Sequence, residues 1–202
     1  EIRIMSLKEI SKNYYRRLSD LLGQTQATQK DGVSMDFFSA AEFVGQLAMT
    51  QTENGKKIIF IGNGASASIS SHMATDYWKN GGMRAMAFND AALLTCLSND
   101  CGYENVFGKS VEMFADEGDI LVAISSSGKS ENILNGVRAA RKMGAHIVTL
   151  SGFKSDNSLR SMGDFNFFVP DEEYGPVEIV HLSITHCILD AIIDLKSQTT
   201  AK

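Results

Sequence analysis

Five short, largely apolar runs separated by longer segments of helical character constrain this chain more than any other feature. They are Ile58–Ile61, Met83–Phe88, Ile120–Ile124, Ile147–Leu150 and Phe165–Val169. A strand buried on both faces has no need to alternate polar and apolar residues. Helices returning between such strands cover both faces of a parallel sheet. The expected fold class is therefore α/β, a three-layer α-β-α sandwich with a five-stranded parallel sheet. One unit recurs inside it: strand, Gly/Ser loop, helix, first at Ile58–Ala74 and again at Ile120–Met143.

Ahead of the sheet pattern lie N-terminal helices. Ser6-Leu7-Lys8-Glu9 has the form of a capping box, and Leu7, Ile10, Tyr14, Leu18, Leu21 and Leu22 recur at helical spacing until Gly23. Gln24 to Val33 reads as a polar loop, and Ser34 to Thr52 as a second amphipathic helix. Pro176 suits the first turn of a last helix that runs to about Ser197. The expected division is a helical segment over 1–52, the α/β domain over 53–198 and a tail at 199–202.

Charge narrows the partners. Nineteen Lys and Arg against 24 Asp and Glu leave a formal net charge of −5, and 44% of the residues are hydrophobic. Such a chain buries a real core but offers no global basic field, so neither nucleic acid nor an anionic membrane surface is an expected partner. No apolar run approaches the roughly 18 residues of a membrane span. Glu1 to Lys8 mixes both charges without an apolar stretch, so no secretory signal is visible there. Cys96, Cys101 and Cys187 form no CxxC pair, which fits reduced thiols and a cytoplasmic location.

The first Gly/Ser loop is Gly62-Asn63-Gly64-Ala65-Ser66-Ala67-Ser68. Small residues there let an oxyanion approach the amides that open the next helix. Gly62, Gly64 and Ala67, with Asp90 further on, also match a dinucleotide fingerprint. A tight strand-to-helix turn that binds nothing would need the same residues. The second loop, Ser125-Ser126-Ser127-Gly128-Lys129-Ser130, gathers hydroxyls at a helix start and suits a phosphate monoester. Its Gly-Lys-Ser tail imitates a P-loop, but the first glycine of that motif would fall at Ala123 and is absent, so no nucleotide cofactor is expected. Helix capping explains Ser130 but not the other serines.

A third constellation is helical. His72 and Asp76, four apart, share one helix face, and Glu178 and His186, eight apart, share another. Two imidazoles and two carboxylates from a helix pair can make a four-ligand zinc site. Core packing and helix-dipole complementation are the competing explanations. His181 and His146 fall outside this pattern.

These motifs, together with Ser98-Asn99-Asp100-Cys101-Gly102-Tyr103, resemble the sugar isomerase (SIS) fold family from about Ser34 to Leu195. Within it they look like phosphoheptose isomerases, cytoplasmic homotetramers with sites between subunits, many of which bind zinc. The resemblance implies a phosphorylated sugar as substrate, converted between ketose and aldose through an enediol. It places substrate contacts on Asn63, Gly64, Ala65, Ser66, Asn99, Asp100, Ser125, Ser126, Ser127 and Ser130, with Asp76 and Glu178 also touching substrate. It implies a zinc ion per subunit on His72, Asp76, Glu178 and His186, with Asp76 as catalytic base and His186 as acid. Asp76 stands where the family has Glu, Glu178 where it has Gln, Asn80 where it has Arg, and Ala65 replaces a loop glycine. Losing an Arg and gaining a carboxylate makes the site more negative by two charges. That favours a divalent cation and disfavours an anionic substrate. The alternative is a non-catalytic SIS regulator that keeps the phosphate loops and binds a protein partner, and those resemble this chain but lack the acid at the position of Asp76. A dinucleotide-binding oxidoreductase would leave the serine loop unexplained.

Overall fold

The computed structural model describes residues 4–200. Helix α1 (Leu7–Gln24) opens on the expected capping box: Ser6 accepts from the Glu9 amide, and the Glu9 side chain returns the bond. There follow β1 (Gln26–Gln29), β2 (Ser34–Met35), α2 (Phe37–Glu53), β3 (Ile58–Gly62), α3 (Ala65–Lys79), β4 (Ala85–Ala87), α4 (Ala91–Cys101) and α5 (Val106–Phe114). The chain ends with β5 (Ile120–Ser125), α6 (Glu131–Lys142), β6 (His146–Ser151), β7 (Phe165–Phe168) and α7 (Tyr174–Thr200).

The strands form one sheet of seven, in the order β2-β1-β7-β6-β5-β3-β4. The expected five are all present and pair in parallel. The five-stranded parallel sheet is nonetheless corrected to a mixed one, because β1 runs antiparallel to both β7 and β2. The stretch read as a loop after α1 thus covers an edge that β7 would otherwise expose. Its residues, Gln-Ala-Thr-Gln, carry no apolar run: Ala27 and Thr28 are buried, but the strand is held chiefly by its backbone pairing with β7. Likewise α2 starts at Phe37, capped by Asp36, because Ser34–Met35 is taken into the sheet. At the other end α7 runs on to Thr200, into the expected tail, whose residues 201–202 lie outside the described residues.

Alternate strand residues feed two cores. Ile58, Phe60, Val122, Ile124, Val148 and Leu150 meet α2, α3 and α7 on one face. Ile59, Ile61, Leu121, Ala123 and Ile147 meet α5 and α6 on the other, so the sandwich has three layers as expected. Tyr174–Thr199 is long and apolar enough to cross a membrane, with a mean hydropathy of 1.5, but half of it is buried inside the fold. Val177, Val180, Ile184, Ile188, Leu189 and Ile192 make it a core helix. Helix α1 is held differently: Arg17 forks between the buried Asp171 carboxylate and Glu173, pinning α1 to the β7–α7 connection. The three cysteines are unpaired.

Candidate active site

Among the parallel strands the order reverses between β3 and β5, where chain neighbours stop being sheet neighbours. Ligands of open α/β sheets bind outside the carboxyl ends of strands at such a point. Both Gly/Ser loops leave the sheet there, side by side, because Gly62 at the end of β3 pairs with Ile124 in β5. Gly62 is required by close approach: a Cβ on it would stand 2.5 Å from the Ser66 carbonyl oxygen. The turn therefore folds tightly enough to bring the first amides of α3 to the sheet edge.

The Ala65 and Ser66 amides have no intrahelical acceptor, and Gly64, at the N-cap, supplies no side-chain bond. Ser130 occupies the N-cap of α6, and its hydroxyl makes no capping bond either. By contrast α1, α2 and α4 are closed by Ser6, Asp36 and Asp90. Capping is what occupies Asp90, the acid of the dinucleotide fingerprint: its carboxylate accepts from the Leu93 amide at 3.0 Å. The Ser126 hydroxyl is buried without a hydrogen-bond partner among the described residues. A buried hydroxyl left unpaired is costly, and a bound oxyanion would satisfy it. Ser125 is also buried, while Ser127 accepts from the Lys129 amide at 3.3 Å. Ala65 and Ser66 begin α3, Ser66 buried. Asn99 and Asp100 lie exposed on the last turn of α4, where Asn99 donates to Asp100 at 2.8 Å.

Helices α3 and α7 lie in one layer and bring together three of the four ligand candidates. The Nε2 atoms of His72 and His186 are 3.3 Å apart, and His72 Nε2 is 3.3 Å from Asp76 Oδ2. Ligand atoms at about 2.0–2.1 Å from a tetrahedral ion stand roughly 3.3–3.4 Å from one another. The donor set and its spacing therefore fit a zinc-like cation, with the three ligand atoms all within 4.8 Å. Glu178, about two turns earlier on α7, does not belong to this cluster, and burial raises its carboxyl above the ordinary range. Asn80 ends α3 as an exposed C-cap. Seven residues along α3 separate Ala65 from His72, about 10 Å at 1.5 Å per residue. That is the scale of an extended phosphosugar, with the β3–α3 loop at one end of the span and the cluster at the other.

Two side chains outside the expected substrate contacts also belong here, Tyr103 closing one of the quoted motifs and Asn132 lying in none. Asn132 in the first turn of α6 and Tyr103 after α4 both bond Asn63. The signal for Asn132 is a polar residue directly before the buried pair Ile133 and Leu134, which an N-cap assignment at Ser130 absorbs without notice.

An open α/β sheet with two Gly/Ser loops at its switch point, each opening a helix without a side-chain cap, and a His/Asp cluster beside them is the layout of a sugar isomerase domain. The SIS domain model matches residues 13–152, and the chain belongs to that family. More particularly, its relatives include proteins named phosphoheptose isomerase. The one from Aliarcobacter butzleri is 32% identical over 157 residues, covering 75% of this chain and 82% of its own. The one from Akkermansia muciniphila is 33% identical over 173 residues, covering 80% and 91%. The solved phosphoheptose isomerase GmhA from Neisseria gonorrhoeae superposes with a TM-score of 0.81 at 26% identity, covering 93% of this chain and 99% of that one.

Proposed function

We propose that this protein is an aldose–ketose isomerase of a phosphorylated sugar, with sedoheptulose 7-phosphate and its heptose 7-phosphate isomer as the preferred pair. The observation that carries the reading is the His72–Asp76–His186 cluster at zinc-ligand spacing, about 10 Å along α3 from the uncapped loop that opens it. The name phosphoheptose isomerase borne by the relatives supports the choice of a heptose phosphate. A protein-binding regulator would have no use for the cluster.

Isomerisation removes a proton next to a carbonyl and returns it to the neighbouring carbon. It needs a base, a polarising group on the oxygens and a handle on the distant phosphate. Ser125, Ser126, Ser127 and Ser130 with the α6 amides form the handle. Gly64, Ala65 and Ser66 offer the α3 amides, and Asn99, Asp100 and Glu178 line the sugar. Asp76 is the base: Oδ2 faces His72, leaving Oδ1 for the proton. Zinc held by His72, Asp76 and His186 would supply a Lewis acid for the sugar oxygens. An imidazole that ligates through Nε2 has no lone pair there for a proton, so His186 serves as acid only when no metal is held. We further assign the protein to the cytoplasm and to a homotetramer with sites between subunits, which the half-exposed His72 suits.

Asp76→Asn keeps volume and removes charge. Assayed over a panel of ketose phosphates with and without chelator, it should lose about 10²–10⁴-fold in kcat, roughly 3–5 kcal/mol of barrier. Zinc retention should weaken with it. A fully active Asp76→Asn protein would refute the mechanism.

A further inference from the structure

The Asn63 side chain, the first residue after β3, is already engaged by the protein. Its Oδ1 accepts from Asn132 Nδ2 at 2.8 Å and from Tyr103 Oη at 2.9 Å, and its Nδ2 donates to Asn132 Oδ1 at 2.9 Å. A side-chain amide has two acceptor positions and two donor hydrogens. Three of these four are therefore spent, and both acceptor positions are among them. Asn132 is 3% exposed, so its own amide has little to offer a ligand. The partners come from three separate segments: the β3–α3 loop, the first turn of α6 and the turn after α4. A parallel tie runs beside them, Asn135 Nδ2 donating to the Glu104 carbonyl at 2.9 Å. Each segment also carries or adjoins one group of expected substrate contacts.

We infer that Asn132 and Tyr103 are positioning residues that lock Asn63, so that the sugar loop and the phosphate loop keep one fixed separation, and that Asn63 meets substrate through its backbone. The reciprocal amide pair sets the distance between the α3 and α6 N-termini. Tyr103, itself 55% exposed, closes the arrangement from the solvent side and carries the end of α4, with Asn99 and Asp100, into the same register. A rigid spacing matters because a ligand held at both ends gains affinity only when the two sets of donors are already the right distance apart. The inference rests on the isomerase reading for its substrate and on the hydrogen bonds alone for its geometry.

A double-mutant cycle on Asn63→Ala and Asn132→Ala tests it with two readouts. The first is KM and kcat for the ketose phosphate turned over by the wild type. The second, independent of turnover, is hydrogen exchange of the backbone amides over 63–67 and 126–131. Each single variant loses two or three hydrogen bonds of the lock and should raise KM about tenfold, with kcat changed less. Exchange should quicken in both loops. The double variant should be no worse than the worse single, because both remove the same device. Tyr103→Phe keeps the amide pair and should give a smaller change of the same kind. Effects that multiply to about 100-fold would show that the Asn63 side chain reaches the substrate on its own and would overturn the inference. So would an Asn132→Ala protein whose 63–67 amides exchange at the wild-type rate. Lack of turnover by the wild type would refute the isomerase reading, and the exchange readout alone would then decide the lock.

Discussion

His181 shows what residue spacing hides. It sits five residues before His186, off the face that builds the cluster, and carries no motif. In the fold it is fully buried, its Nε2–H donates to the Ser151 carbonyl at 3.1 Å, and its Nδ1 has no partner among the described residues. Burial pushes this imidazole down to about 4. Its folded-state value therefore lies below the value near 6.5 of an exposed histidine, and protonation favours the unfolded chain. The stability it allows is complete above pH of about 6.5 and declines as pH falls toward about 4, by up to ~1.4 kcal/mol per pH unit. His181→Gln keeps a donor at similar reach but cannot be protonated. Urea midpoints for the two proteins should run parallel from pH 7 to 8 and diverge below about 6.5, the wild type falling faster. Parallel curves down to pH 4 would mean that the ring is reached by water. The same limit governs Asn63: its place in the loop was legible, but the bonds that occupy it come from residues 40 and 69 positions away.

At the scale of elements, legibility follows from how each element is stabilised. The inner parallel strands β3, β5, β6 and β7 announce themselves because burial on both faces demands apolar runs, the half-buried edge strand β4 lies within the apolar run Met83–Phe88, and α1 is legible because a capping box is local. The β1–β2 hairpin has neither signal, so a polar stretch that pairs with β7 through its backbone reads as loop. The serine loop was legible as a donor cluster, but its support was not. Gly128 has a φ of +62°, and a Cβ there would collide with the Asn157 side chain. Asn157 cannot yield easily, being 2% exposed and bonded to the Ser151 hydroxyl, the Gly152 and Lys154 carbonyls and the Arg160 amide. Gly128→Ala combines left-handed strain with overpacking and should cost roughly 2–4 kcal/mol. Denaturant unfolding measures that loss, and phosphate-ligand affinity should fall with it as the loop shifts. A variant of wild-type stability would mean that the β6–β7 connection, not the loop, sets this contact.

The whole molecule is two-faced in a way that a single chain does not use. Helix α2 spends Ala40, Val44, Gly45 and Ala48 on the core, where a Cβ added at Gly45 would stand 3.6 Å from the Ile192 side chain, yet leaves Phe38 74% and Phe43 54% exposed. Leu7 and Tyr15 of α1 and Leu195 of α7 stand out in the same way. Helix α1 buries Leu21 alone completely and depends on the Arg17 fork, so its stripe remains available. Phe38 lines a groove floored by Gly45, Ile188, Ala191 and Ile192, between α2 and α7. These helices belong to the layer that holds His72 and His186, so an assembly formed through them would also wall the open side of the candidate site. In a two-fold interface each residue is buried twice. Burying one large apolar side chain contributes about 1.5–3 kcal/mol, so removing Phe38 from both partners weakens association by about 3–6 kcal/mol, roughly 10²–10⁴-fold. Phe38→Asp should therefore sediment as monomer at micromolar concentration where the wild type sediments as an oligomer, with unchanged helix content. Its isomerase activity should fall on dilution and recover as protein concentration rises. A wild-type protein that sediments as a stable monomer, active at every dilution, would mean that these stripes serve something other than a second copy of this chain.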